Sequence, residues 1–229
     1  MITKGNIPVK KKAGAITLRF LIVAGSFLVA LFLFGFIADE MVLEQENQLD
    51  QQVFSWLAGF TSQAHTSIML VITFFGSSYF LLPAYILLIF YFLFLRNNRK
   101  LSFDVAAIGI TSTIILFSLK KFFHRQRPPD PVVHTVNGFS FPSGHSFSSF
   151  TFFGLLIYII WNSEMRPALR WALTLFFLLF ACAIAFSRVY LHVHYASDVI
   201  AGFCLCIVWL VVAFWLLKKF GRKEKVIPT

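Results

Sequence analysis

Three polar clusters interrupt an otherwise apolar chain, and their residue types converge on one chemistry. The first runs from Lys120 to Arg127 and Pro128. The second is Pro142-Ser143-Gly144-His145, and the third is Ser187-Arg188 followed by His194 and Asp198. Lys120, Arg127 and Arg188 are fixed cations that can neutralise a tetrahedral oxyanion, and the two arginines offer forked donors. Ser143 and Gly144 open an apolar run, where the free amides and dipole of a helix start favour an anion. His194 and Asp198 lie four residues apart and share a face on a helical stretch. A carboxylate there can hold one imidazole nitrogen protonated and leave the other as a nucleophile. His145 arrives on a different segment and can protonate a departing oxygen. The sum is a phosphate cage, a nucleophile with an orienting acid, and a separate general acid. Those parts make a phosphoryl-transfer site.

The spacing Lys120-x6-Arg127-Pro128, Pro142-Ser143-Gly144-His145, Ser187-Arg188-x5-His194-x3-Asp198 resembles the three signatures of the type 2 phosphatidic acid phosphatase superfamily. That superfamily includes membrane lipid phosphate phosphatases and the vanadium haloperoxidases. Every signature position between Lys120 and Asp198 is filled. Ordinary residue frequencies put a chance Pro-Ser-Gly-His in such a chain on the order of 10⁻³. The resemblance implies that His194 is the nucleophile of a phosphohistidine reaction, that Asp198 orients it, and that His145 is the general acid. It assigns Lys120, Arg127, Ser143, Gly144 and Arg188 to the phosphoryl oxygens. It implies no metal and no other cofactor.

The elements that must position these residues are read from composition. Of 229 residues, 58% are hydrophobic, 30 are phenylalanine and only 13% are charged. A soluble domain carries about a quarter charged residues, so a soluble enzyme, a disordered chain and a disulfide scaffold are all excluded. Apolar runs at 20–37, 68–95, 103–119, 147–161, 171–186 and 199–217 predict six membrane spans. The second run is too long for one upright helix, and Gly76, Ser77, Ser78 and Pro83 offer places to bend. The three cysteines, Cys182, Cys204 and Cys206, lie inside apolar runs without zinc spacing. They read as small packing residues.

Charge sets the expected orientation. The chain has 20 basic and 10 acidic residues, a net +10. Nucleic-acid binding would need the basic residues on one solvated face. Here they sit between the spans, so no nucleic-acid partner is expected. With the N-terminus inside, the inner segments hold Lys4, Lys10, Lys11, Lys12 and Arg19, then Arg96, Arg99 and Lys100, then Arg166 and Arg170, and finally Lys218, Lys219, Arg222, Lys223 and Lys225. The positive-inside rule therefore predicts a multi-pass protein of the cell membrane with both termini cytoplasmic. Lys120, Lys121, Arg125, Arg127 and Arg188 stay on the outer side, which places the candidate site at the outer face. The acids Asp39, Glu40, Glu44, Glu46 and Asp50 also fall outside.

Between spans one and two, in segment 38–65, Leu49, Val53, Trp56, Leu57 and Phe60 recur at helical spacing. This predicts an amphipathic helix on the outer surface acting as a structural lid. Lys121 and Arg125 read as snorkelling anchors. His65, His124, His134 and His192 read as structural histidines, and Pro129, Pro131 and Gly138 as turn formers. Asp104 reads as a local pairing partner, and Asp130 and His134 as loop residues near a headgroup. The fold class expected is an all-α, six-helix membrane bundle forming one domain over 1–229. Basic cytoplasmic tails occupy 1–16 and 219–229, and the catalytic motifs lie in 120–198. The expected activity is removal of a terminal phosphate from a membrane lipid, with the phosphorylated lipid and the bilayer as expected partners. Undecaprenyl pyrophosphate is favoured over phosphatidylglycerol phosphate and phosphatidic acid. A transporter for a phosphorylated solute is the alternative, although transporters place charge near the midplane. A metal hydrolase built on His145, His192, His194 and Asp198 is a third reading.

Overall fold

The computed structural model describes residues 10–44, 48–129, 131–132 and 138–220. In hydrocarbon every backbone amide and carbonyl must be satisfied internally, so apolar runs of this length become helices. Helix α1 (Lys10–Phe36) begins inside the segment expected to be a tail and continues into a π-helical stretch, Ile37–Leu43. The short α2 (Gln48–Ala58) follows, then α3 (Gln63–Phe74) and α4 (Ser78–Phe90), which ends in a second π stretch, Tyr91–Leu95. Four long helices complete the chain: α5 (Arg99–Phe123), α6 (Gly144–Trp161), α7 (Pro167–Tyr190) and α8 (Ala196–Phe220). Among the described residues, six segments are long and apolar enough to cross a membrane, with α3 and α4 together forming the second. This is the six-span, all-helical membrane architecture that the apolar runs predict.

The second span breaks at Phe75, Gly76 and Ser77, while Pro83 is carried inside α4. A β-carbon on Gly76 would overlap the Ile184 side chain and lie 3.1 Å from His145 Cδ2. Glycine therefore lets the α3–α4 junction press against α6 and α7 beside a candidate catalytic histidine. Gly202 does the same for α8. A β-carbon there would come within 3.1 Å of the Ser143 carbonyl and 3.2 Å of the Phe147 amide. Helices in lipid associate through close packing rather than water exclusion, and small residues permit that approach.

Helix α6 is the centre of the bundle, packed chiefly on α7 and α8, while α1 leans on α8, α3 on α7 and α4 on α5. Its Phe147 and Leu155 are fully buried, as are Ile184 of α7 and Ala201 of α8. The outer helices present apolar side chains outward, among them Phe20, Phe32, Leu87 and Phe103. That arrangement suits a lipid surround.

Helix α2 corrects the expected lid in detail. Its inward face is Asp50, Val53, Phe54 and Leu57, at spacings of three and four, and it packs on α7 and α8. Leu57 joins Val189, Tyr190, Leu191 and Val193 in a buried cluster. Leu49, Trp56 and Phe60 face away and are 45%, 61% and 54% exposed. An acid takes the interior position that the apolar periodicity assigned to a hydrophobe, because it finds partners there.

Candidate active site

Helix α5 ends at His124, which adopts the left-handed conformation (φ 51°, ψ 22°) and returns its amide to the Lys120 carbonyl. A residue in that conformation turns the chain away from the helix axis. Lys120 is thus held in the last helical turn, while Arg125 and Arg127 follow on the irregular segment that leaves the helix. Lys120 Nζ donates to the carbonyls of Phe139 (2.6 Å) and Ser140 (3.3 Å). Arg127 donates from Nε to the Gly138 carbonyl (2.9 Å) and from Nη1 to the Val193 carbonyl (2.7 Å).

Ser143 is the N-cap of α6, and its buried hydroxyl accepts from the Ser146 hydroxyl at 3.0 Å. The Ser143 amide donates to the Asp198 carbonyl at 3.1 Å, which ties the start of α6 to the start of α8. Gly144 and His145 are the first two helical residues, whose amides have no partner within a helix. Lys120 Cε lies 3.7 Å from where a Gly144 β-carbon would sit. His145 lies within electrostatic reach of Arg188, His194, Arg127 and Lys120.

The end of α7 repeats the device used by α5. His192 is left-handed (φ 53°), and the chain turns there to deliver His194 before α8 begins. Arg188, in the last turn of α7, is 5% exposed and donates from Nη1 to Thr73 Oγ1 at 2.7 Å. Its buried Nε has no acceptor among the described residues. His192 itself stacks on Phe54, with ring centroids 4.4 Å apart. This gives it a packing role.

His194 is 2% exposed and Asp198 is fully buried. Burial pushes the His194 imidazole down to about 3, and Lys120 and Arg127 push the same way. The hydrogen bond and charge of Asp198 oppose that shift. The ring is therefore neutral at physiological pH. Its Nε2 lies 3.2 Å from Arg127 Nη1. A guanidinium only donates, so Nε2 accepts and the ring proton sits on Nδ1. Nδ1 in turn faces Ser140 Oγ at 3.2 Å and Asp198 Oδ2 at 3.4 Å. Burial also lowers the Arg127 guanidinium, with Asp198 opposing.

The structure thus gathers Lys120, Arg127, Ser143, Gly144, His145, Arg188, His194 and Asp198 around the ends of α5 to α8. It also adds residues that the sequence reading left out. Ser140 is fully buried and donates to Asp198 Oδ2 at 2.5 Å while meeting His194 Nδ1. Arg125 is not a snorkelling anchor. It is 9% exposed and pairs with Asp198 Oδ1 at 2.7 Å and Asp50 Oδ2 at 3.0 Å, because two carboxylates face it where lipid headgroups were expected. Asp50, counted among the outer loop acids, is fully buried. Lys121 stays exposed, and Cys204 and Cys206 are buried free thiols. Asp130 and His134 lie outside the described residues.

Residues 100–222 match the family model of the PAP2 superfamily. The chain is 30% identical over 202 residues to phosphatidylglycerophosphatase B of Bacillus subtilis (strain 168), covering 86% of this chain and 96% of that protein. It is 34% identical over 113 residues to the lipid A 4'-phosphatase of Bacteroides thetaiotaomicron, covering 43% of this chain and 47% of that one. Among solved structures, the transmembrane PAP2-type phosphatidylglycerolphosphate phosphatase from Bacillus subtilis superposes with a TM-score of 0.73 at 25% identity. That match covers 89% of this chain and 99% of the other. Aquifex aeolicus LpxE shares the fold, with a TM-score of 0.54 at 23% identity over 72% of this chain and 94% of its own. Six spans, the gathered cluster of cations, histidines and acid, and these likenesses agree: the chain belongs to the PAP2 superfamily, as a membrane lipid phosphatase.

Proposed function

We propose that the protein hydrolyses a terminal phosphate monoester on a membrane lipid through a phosphohistidine on His194, without a metal, at the outer face. One observation carries the reading: a buried imidazole whose Nδ1 faces Asp198 and Ser140 and whose Nε2 faces the cation Arg127. This is the tautomer that a nucleophilic histidine needs. Nε2 attacks phosphorus in line, a P–N bond forms, and the P–O bond to the lipid breaks. His145 gives its proton to the departing alkoxide. Water then attacks the phosphohistidine with His145 taking its proton, releasing phosphate and restoring His194. Lys120, Arg127 and Arg188 neutralise the equatorial oxygens with the first amides of α6, Gly144 included, and Ser143 caps that helix. The orphaned Arg188 Nε supports this reading, since a phosphoryl oxygen would give it an acceptor.

For the substrate, the near full-length similarity to a phosphatidylglycerophosphatase favours phosphatidylglycerol phosphate over the polyprenyl diphosphate preferred on sequence grounds. The test is phosphate release by the detergent-purified protein, in excess chelator, across phosphatidylglycerol phosphate, phosphatidic acid and undecaprenyl pyrophosphate. Turnover should survive the chelator and be fastest on phosphatidylglycerol phosphate. Acid-labile label should be trapped on the wild type and absent from His194→Ala. Label retained by His194→Ala would overturn the mechanism, and no phosphate release at all would restore the transporter reading.

A further inference from the structure

We propose that Asp50, on α2 and outside the six spans, is a positioning residue for phosphoryl transfer. It acts through Arg125 and Ser197 on the carboxylate that holds His194, an inference that rests on His194 being the nucleophile.

The hydrogen bonds of the Asp50 carboxylate lead to that carboxylate's neighbourhood. Its Oδ1 accepts from the Ser197 amide at 2.9 Å, and its Oδ2 from the Ser197 hydroxyl at 2.6 Å and Arg125 Nη2 at 3.0 Å. Arg125 Nη1 then donates to Asp198 Oδ1 and to Ser197 Oγ, each at 2.7 Å. The guanidinium lies over the Tyr195 ring, 4.1 Å from its centroid. The other oxygen of Asp198, Oδ2, accepts from Ser140, from the Tyr195 amide at 3.0 Å, and faces His194 Nδ1. Asp198 is thus held by Arg125 on one oxygen and serves the nucleophile with the other.

Two physical arguments give Asp50 its part. A buried charge is expensive unless paired and hydrogen-bonded. Val53, Phe54 and Leu57 would hold α2 on α7 and α8 without one. The acid therefore does something that a hydrophobe at position 50 could not. An Arg125 with Asp198 as its sole carboxylate would also direct its charge at that carboxylate alone. With Asp50 on the opposite edge, the guanidinium is fixed between two anions. Its pull on Asp198 is shared, which leaves Oδ2 a stronger acceptor for the Nδ1 proton. The first turn of α8 is pinned at the same time, because Ser197 is bonded by both backbone and side chain.

The experiment is a double-mutant comparison on the full-length protein in detergent, with kcat and KM measured for a lipid phosphate monoester. Asp50→Asn should lower kcat by about 10- to 100-fold, the size typical of partners one step behind a functional group, with KM changed by less than about threefold. In an Asp198→Asn background the same substitution should add less than about threefold, since residues acting as a unit are non-additive. Gln51→Ala, exposed on the same helix, should keep kcat. A well-folded Asp50→Asn with wild-type kcat overturns the proposal, as does an equal loss in both backgrounds. If Asp50→Asn does not fold, Ser197→Ala replaces it, and the same two outcomes decide. His194→Ala separates the two claims. Turnover by His194→Ala refutes the phosphohistidine reading, whereas an inactive His194→Ala beside an additive Asp50→Asn refutes the positioning role alone.

Discussion

Arg127 Nη1 meets His194 Nε2 at 3.2 Å, so in the proposed mechanism the cation assigned to a phosphoryl oxygen also covers the nitrogen assigned to attack. In that mechanism an arriving phosphate must draw the guanidinium off the imidazole before the P–N bond can form. Binding and unmasking are then one event. Arg127→Lys keeps charge but loses the fork. It should reduce kcat/KM by about 10²- to 10³-fold, the cost of losing one donor to a developing oxyanion. Steady-state kinetics check this, and a loss under threefold would show that the fork has no such part.

Ser140 bridges the nucleophile and its acid. Ser140→Ala should lower kcat by about 10- to 100-fold with KM nearly unchanged, because its hydroxyl is spent on His194 and Asp198. Ser140→Thr, which retains the hydroxyl, should recover part of the loss. A KM effect alone would reassign Ser140 to substrate binding.

His145 should reveal itself through the leaving group. His145→Ala should slow hydrolysis of an alkyl phosphate by about 10²- to 10⁴-fold. A nitrophenyl phosphate, whose leaving oxygen needs no proton, should recover most of that loss. Equal losses on both substrates would remove the general-acid assignment.

The buried imidazole also predicts how stability responds to acid. His194 titrates at about 3 in the folded protein against 6.5 for the free side chain. Between those values the unfolded chain binds the proton and the folded one does not. Stability therefore falls as pH drops from about 6.5 toward 3, and is insensitive to this group above that window. Thermal unfolding in detergent at pH 7, 5.5 and 4 should show a falling midpoint. His194→Gln should show a shallower fall, and identical slopes would contradict the shift.

Orientation follows from the charge of the loops. In a Cys182→Ser background, Gln52→Cys on α2 should react with an impermeant thiol reagent in intact cells. Glu164→Cys, between α6 and α7, should react only after the membrane is opened. The reverse pattern would turn the protein over and place its site on the inner leaflet.

The six spans were legible because a hydrocarbon medium leaves an apolar run little choice but helix. The three clusters were legible because their residue types sit at short spacings within each motif. Arg125, Asp50 and Ser140 were not. Arg125 lies at a span end, where a lone cation ordinarily snorkels, and its partners, two carboxylates among them, lie far away in the sequence. Asp50 is separated from Ser197 by 147 positions, and no local period encodes such a pairing. A clue was nevertheless present. Asp50 shares a helix face with Val53 and Leu57, and an acid on an otherwise apolar face asks for a partner. Ser140 precedes the Pro142 motif by two residues and carries no signal of its own.

The brace between Asp50 and α8 also imposes an order on biogenesis. Asp50 is synthesised before five of the six spans, whereas Ser197 and Asp198 emerge with the last one. Chains are made from the N-terminus, so the acid must wait in a solvated setting until α8 threads the bilayer. Only then can the two carboxylates close on Arg125. Completion of the final helix is therefore the step that assembles the site, and a nascent chain with five spans inserted carries Lys120, Arg127 and Arg188 without Asp198 to hold His194.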